Sequence, residues 1–181
     1  INYNIDMTIK AYGLDSIRTK TFNVENNLNT QLLTDNQDTI DNIRLWDPRP
    51  LQSTYSQLQG LRPYYVFPGV DIDRYTIDGE YRQVMLAARE LDKNKLDSQA
   101  QTWINEKLKY THGYGVVINP INKLTAQGQA DFILSGLRMD SVDPDLNITQ
   151  PRIYYGELTR DYVIVNATKG LKEIDYDGNK V

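Results

Sequence analysis

VDIDRYTIDGEYRQVMLAARELD, residues 70–92, is the stretch whose reading decides the fold. Asp78-Gly79 at its centre is a two-residue hairpin turn, because both positions tolerate positive φ. The flanks, DRYTI and EYRQVMLAA, are then paired antiparallel strands. Helix is the competing reading over 80–91, since Ala, Leu, Met and Glu favour it. The placement of the turn argues for strand.

Upstream, INYNIDMTIKAYG sets Ile1, Ile5, Thr8, Ile9 and Tyr12 at helical spacing, and Gly13 stops the helix. SIRTKTFNV alternates Ile17, Thr19 and Thr21 with Arg18, Lys20 and Phe22 and predicts a strand. Residues 25–42, rich in Asn, Asp, Gln and Thr, read as a loop or a short polar helix. NIRLWDPRP, residues 42–50, reads as a short apolar strand ended by Asp47-Pro48. Pro50 fits the first turn of a helix over LQSTYSQLQGL, with Leu51, Tyr55 and Leu58 on one face and Pro63 as its stop.

Downstream, Asp97 or Ser98 caps a helix over SQAQTWINEKLKY, where Ala100, Trp103, Ile104 and Leu108 recur at helical spacing. GYGVVINPI predicts a strand ending at Pro120. Thr125 could cap a helix through AQGQADFILSGLR with Phe132, Ile133 and Leu137 inward. Residues 139–151 form a loop with two prolines. RIYYGEL and YVIVNA predict a hairpin across TRD, and LKEIDYD a last strand. Helices and hairpins are interspersed without strict βαβ alternation. The expectation is one α+β domain over 1–181, a mixed or mainly antiparallel sheet with hairpins packed by about four helices.

Composition narrows the chemistry. The 181 residues are 40% hydrophobic and 24% charged, with a net charge of −4, ordinary for a folded protein. No Lys/Arg cluster offers a nucleic-acid footprint. With no cysteine, thiolate catalysis, disulfides and Cys-ligated metals are excluded. One histidine, His112, rules out a His-rich metal site. No apolar run approaches the roughly 20 residues of a membrane helix. There is no G-x-S-x-G elbow to mark a serine nucleophile, and there is no phosphate loop, so nucleotide binding is not expected. No cofactor or metal is called for.

YTHGYG, residues 110–115, surrounds His112 with Tyr110, Tyr114 and two glycines. The reading carried forward is a tight turn into a strand, with His112 as a local hydrogen-bonding group. Asp71, Asp73 and Asp78, or Asp140, Asp143 and Asp145, could ligate calcium, but neither group fits the EF-hand spacing, and both read as solvated loop acids. Glu80, Glu90, Glu106 and Glu157 are candidates by type for a carboxylate pair. The thirteen tyrosines suit sheet packing, and alternatively a binding face. WDPRP, EYRQ and AARELD each combine Arg with Asp or Glu beside apolar residues and predict structural ion pairs. The candidate functional residues are His112, Tyr110, Tyr114, Arg82, Glu90 and Glu157.

NIRLWDPRPL, YTIDGEYRQVMLAARELD, QTWINEKLKYTHGYGVVINPINKLT and PRIYYGELTRDYVIVN together closely resemble uncharacterised protein family 0182, large multi-pass bacterial membrane proteins. The similarity runs from AYGLDSI to KEIDYD. It implies that this chain is a piece of a soluble region outside the membrane, following an N-terminal part made of several membrane helices; the missing start methionine agrees. It brings no catalytic residues. Two functions are then in view. One is a non-enzymatic extracytoplasmic module that docks on the remainder of its own membrane protein, an envelope component or a partner protein through a Tyr/Arg-rich face. The other is an envelope-directed hydrolase of glycan or peptide, using His112 or a carboxylate pair.

Overall fold

The computed structural model describes residues 1–24 and 28–165. The chain forms two compact units, Ile1–Asp35 and Asn36–Val181. In the first, helix α1 (Asn2–Ala11) ends before Gly13, whose φ of 64° reverses the chain. A 3-10 turn, Leu14–Ser16, follows, and a second helix, α2 (Thr30–Asp35), closes the unit. Neither α1 nor α2 contains a buried residue. The strand expected over SIRTKTFNV does not form, and residues 17–24 enter no ladder. Alternation alone cannot make a strand whose N–H and C=O groups find no second strand among the described residues of the unit.

The second unit opens with α3 (Gln37–Ile40). NIRLW is extended but joins no sheet; instead Leu45 N and Trp46 N both donate to Ile121 O, at 3.1 and 3.3 Å. The Asp47 carboxylate caps helix α4 (Pro48–Gln59) by accepting from Arg49 N at 2.9 Å, and Pro48 fits the first turn, where no N–H is needed. Helix α4 buries Leu51 and Tyr55 completely, while Leu58 stays 41% exposed. It ends at Gly60, ahead of Pro63; a Cβ there would meet Ser56 O at 2.3 Å.

The hairpin stands as expected. Strands β2 (Asp71–Ile77) and β3 (Glu80–Ala88) pair from Ile77↔Glu80 to Asp71↔Leu86. Asp78 and Gly79 have φ of 53° and 78°, as a type I′ turn requires. The helical reading of 80–91 is therefore excluded. The fold is α+β, and every described pairing is antiparallel: β1 (Tyr65–Val66) with β4 (Glu90–Leu91), β5 (Gly113–Tyr114) with β9 (Arg152–Ile153), and a five-stranded sheet in the order β2-β3-β6-β7-β8. Its last members are β6 (Val116–Pro120), β7 (Leu134–Ser135) and β8 (Asp140–Ser141).

Successive side chains of a strand face opposite ways, and β3 uses both faces. Met85 and Ala87 pack with Leu51, Tyr55, Phe67, Val117 and Ile121, so α4 covers that face. Val84 packs with Ile77, Ile118, Leu134 and Met139 on the other. Full burial of each large aliphatic side chain is worth roughly 1.5–3 kcal/mol.

Two expected helices are corrected. AQGQADFILSGLR is not helical: Thr125 Oγ1 accepts from Gln129 N in a turn, Gly128 and Gly136 take φ of 75° and 76°, and Ile133 N donates to Ile118 O in the sheet. Two left-handed glycines and a sheet ladder outweigh the helical spacing. SQAQTWINEKLKY contains a 3-10 turn at Ser98–Ala100 and a single π-helical turn at Asn105–Lys109. Its Trp103 and Ile104 are 55% and 56% exposed, and Lys107 is the buried residue. Of the RIYYGEL/YVIVNA hairpin only Arg152–Ile153 is strand, paired with β5; residues 154–158 turn back on Glu90, and 162–165 form no strand. Residues 166–167 and the expected strand LKEIDYD lie outside the described residues.

Candidate functional site

The two glycines of YTHGYG answer to packing. Where β3 runs out, Arg89 N donates to Gly115 O at 2.9 Å and Tyr114 N to Arg89 O at 2.8 Å. This draws the two backbones together. A Cβ on Gly113 would lie 2.5 Å from Arg89 O and 2.8 Å from Glu90 Cα. Gly115, at φ 82°, leaves no room either: a Cβ would meet Met139 Cε at 2.5 Å and the Arg89 guanidinium at 2.9 Å. The turn delivers His112, 4% exposed, with Nδ1 2.8 Å from Gly113 O and its ring 5.0 Å from that of Tyr154.

Arg89 and Glu90 are both buried, at 1% and 5% exposure, and line different clefts. Glu90 does not pair with Arg89, which corrects the ion pair expected within AARELD. Its carboxylate accepts from Glu157 N and Leu158 N, each at 2.9 Å. Gly156 makes that approach possible, since a Cβ there would lie 2.4 Å from the Glu90 carboxylate. Backbone amides thus hold a buried carboxylate, one on each oxygen.

Around Glu90 lies a cleft of about 300 Å³ lined by Asp92, Lys93, Glu106, Thr111, His112 and Asp161 among others. Thr111 is 5% exposed and its hydroxyl has no partner among the described residues. Burial holds the Lys93 amine below its ordinary range; the Lys107 charge adds to this and Glu106 opposes it. Lys107, buried beside the cleft, pairs with Asp161.

On the other side, Arg89 Nε donates to Gln59 O at 2.9 Å, where α4 ends, and a terminal N–H donates to Tyr114 O at 2.8 Å. The guanidinium also lies 5.2 Å over the Phe67 ring. Burial lowers its pKa to about 10, so it stays cationic near neutrality. It lines a cleft of about 480 Å³ with Gly136, Arg138 and Asp140.

Of the predicted site residues, the fold brings together His112, Tyr114 and Glu90 with the main chain of Glu157. The Tyr114 side chain is fully buried, and that of Glu157 is exposed. Tyr110 packs edge-on against Tyr64 at 5.4 Å. Arg82 stands elsewhere, paired with Glu80 on β3 beside the hairpin turn, and so fulfils the ion pair expected in EYRQ. Arg49 and Asp47 form the pair expected in WDPRP, at 3.0 Å. Asp143 is no solvated loop acid: it is 2% exposed and accepts from Asp145 N at 2.8 Å and Asp78 N at 3.3 Å. Among the described residues no three acidic or histidine side chains converge to hold a metal ion. No helix among them is long and apolar enough to cross a membrane. Sequence reasoning passed over Arg89, Thr111 and Gly156 as site residues. The only signal was local: neighbours in an extended segment point apart, so Arg89 and Glu90 could not share a partner.

A family model described as Uncharacterised protein family (UPF0182) matches residues 1–181. Curated proteins named UPF0182 protein are similar along nearly the whole chain. That of Moorella thermoacetica is 56% identical over 176 residues, covering 97% of this chain and 19% of the relative. That of Trichodesmium erythraeum is 49% identical, covering 96% and 18%. That of Synechococcus sp. (strain JA-3-3Ab) is 47% identical, covering 97% and 21%. The chain therefore spans about a fifth of the length of these relatives. No solved structure matches it significantly.

Proposed function

We propose, for a chain that belongs to the Uncharacterised protein family (UPF0182), that it is a non-catalytic docking module of a larger bacterial membrane protein. It works on the extracytoplasmic side, and its first partner is the remainder of its own polypeptide. The observation that carries this reading is an ordered apolar face. Trp103, Ile104 and Tyr162 are 55%, 56% and 60% exposed. Trp103 Nε1 donates to the Tyr162 hydroxyl at 3.3 Å, and Lys107 Nζ stacks 4.5 Å over the Tyr162 ring. Ile164 N donates to Lys107 O at 2.9 Å and fixes the segment in place. Aromatic side chains held in place lose little entropy on association and are the usual centres of interfaces. A protein about five times as long as this chain has ample polypeptide to cover such a face.

The hydrolase reading draws less support. Glu90, the buried carboxylate nearest His112 in sequence, already accepts two main-chain amides. A carboxylate whose two oxygens are each taken up by a main-chain amide is poorly placed to reach a substrate as well, and reach is the first requirement of general acid–base work.

The test is association in trans. The 181-residue chain is titrated with the separately expressed remainder of the same protein. Binding is expected, and the double variant Trp103→Ser/Ile104→Ser should weaken it at least about tenfold, the scale of an interface hot spot. Absence of binding, together with turnover of cell-wall glycan or peptide by the chain alone, would replace docking by hydrolysis.

A further inference from the structure

The cleft on the other side of the Arg89-Glu90 peptide carries an inference independent of docking. We propose that Arg89 is the floor of an oxyanion-binding site, completed at its rim by Arg138 and taking a carboxylate or phosphate group of a small ligand.

A guanidinium presents five N–H donors in a rigid fork. Arg89 uses two, on Gln59 O and Tyr114 O, which leaves three with no partner among the described residues. Both acceptors are neutral carbonyls. The first belongs to the last residue of α4, so the helix's negative end offsets part of the charge, equivalent to about half a unit. No carboxylate lies within ion-pair distance of Arg89 among the described residues, although the side chain is 99% buried. Holding a cation away from water is costly unless it is paired. No ion pair among the described residues discharges that cost.

Arg89 lines a space suited to a ligand. The cleft, about 480 Å³, is lined by Arg89 with Leu58, Gly60, Gly136, Arg138 and Asp140. Gln59 anchors both walls: its main-chain oxygen accepts from Arg89, and its side-chain Oε1 accepts from Gly136 N at 2.9 Å. Arg138 is exposed, so it adds a second cation that a ligand can reach from solvent. A planar fork with spare parallel N–H groups matches the two oxygens of a carboxylate or phosphate. Asp140 on the same wall disfavours ligands that carry several negative charges, leaving a monoanionic group as the best fit.

The experiment follows the Gly136 amide and the Arg89 guanidinium by nuclear magnetic resonance on the full 181-residue chain. Inorganic phosphate, acetate and chloride are added at equal ionic strength. Saturable movement of both signals with phosphate or acetate, and none with chloride, is the expected result; which of the two acts identifies the oxyanion. Arg138→Gln should raise the apparent Kd about fivefold or more, the loss of one partly exposed charge contact. Arg89→Lys keeps the charge but loses the fork, and should abolish saturation. Should that variant fail to fold, the wild-type titration and Arg138→Gln still decide. Signals that move equally with chloride, do not saturate, or stay fixed while others respond would overturn the site.

Discussion

Two clefts meet at one peptide bond, between Arg89 and Glu90. Each has a buried charge for its floor, at 1% and 5% exposure. On the Glu90 side the chain folds back, Gly156 lets the main chain touch the carboxylate, and two amides occupy it. On the Arg89 side two carbonyls are provided, and among the described residues nothing takes up the other three N–H groups of the fork. A buried charge whose two oxygens are each engaged by its own main chain holds the fold together. One with capacity left over is where a ligand can act. Depth of burial alone would have ranked the two residues together.

The largest expected effect comes from damaging what the clefts share. Gly113→Ala places a methyl 2.5 Å from Arg89 O and 2.8 Å from Glu90 Cα, both backbone atoms that cannot swing aside. A loss of about 3 kcal/mol in stability is expected, the upper range for overpacking. Urea denaturation measures it, and the amides of Gly136 and Glu157 should move together. If the variant is as stable as wild type, the clefts do not depend on this contact.

Glu90→Gln separates them. Its amide still offers one oxygen, but the NH₂ then confronts a main-chain N–H. Leaving one buried donor without an acceptor costs roughly 1–3 kcal/mol. The Glu157 and Leu158 amides should shift while Gly136 stays in place. Movement of Gly136 by a comparable amount would mean that the two clefts are one coupled unit, and the contrast between them would fall.

The contrast also explains what the sequence could reveal. The β2–β3 hairpin was legible because Asp78-Gly79 dictates its own geometry within two residues. Helix α4 was legible through Pro50 in its first turn and the shared face of Leu51 and Tyr55, although it starts earlier than expected, at Asp47 and Pro48, which had read as the end of a strand. Elements that rest on partners far away were not. SIRTKTFNV has strand composition but pairs with no strand among the described residues, and AQGQADFILSGLR has helical spacing but glycines at 128 and 136 that take left-handed φ. Trp103 and Ile104 follow a helical stripe, yet the stripe faces outward. The site was half legible. His112, Tyr114 and Glu90 do converge, but AARELD suggested an ion pair of Arg89 with Glu90 or Asp92, and neither forms among the described residues. Their partners, Gln59, Tyr114, Glu157 and Leu158, come from sequence distances that no local pattern encodes.

The smallest effect tests whether burial is what makes an amide-held carboxylate matter. Asp47 repeats the chemistry of Glu90 at the surface: it accepts from Arg49 N at 2.9 Å and pairs with the Arg49 side chain at 3.0 Å. The Arg49 side-chain hydrogen bond, then its backbone N–H, lowers the Asp47 pKa from 3.8 to about 2. A carboxylate depressed on folding stabilises above its unfolded pKa, and that contribution disappears as pH falls through the folded value. The window therefore runs from about pH 4 down to about pH 2. Asp47→Asn keeps a capping oxygen and removes the charge. Urea midpoints measured across that window should show wild type falling toward the variant as acid is added. High salt should narrow the gap further, because this pair is exposed and screened. The gap at neutral pH should stay well below that of Glu90→Gln. If the exposed carboxylate proved as costly to neutralise as the buried one, amide bonding alone would account for Glu90, and the closed cleft around it would add nothing to its strength.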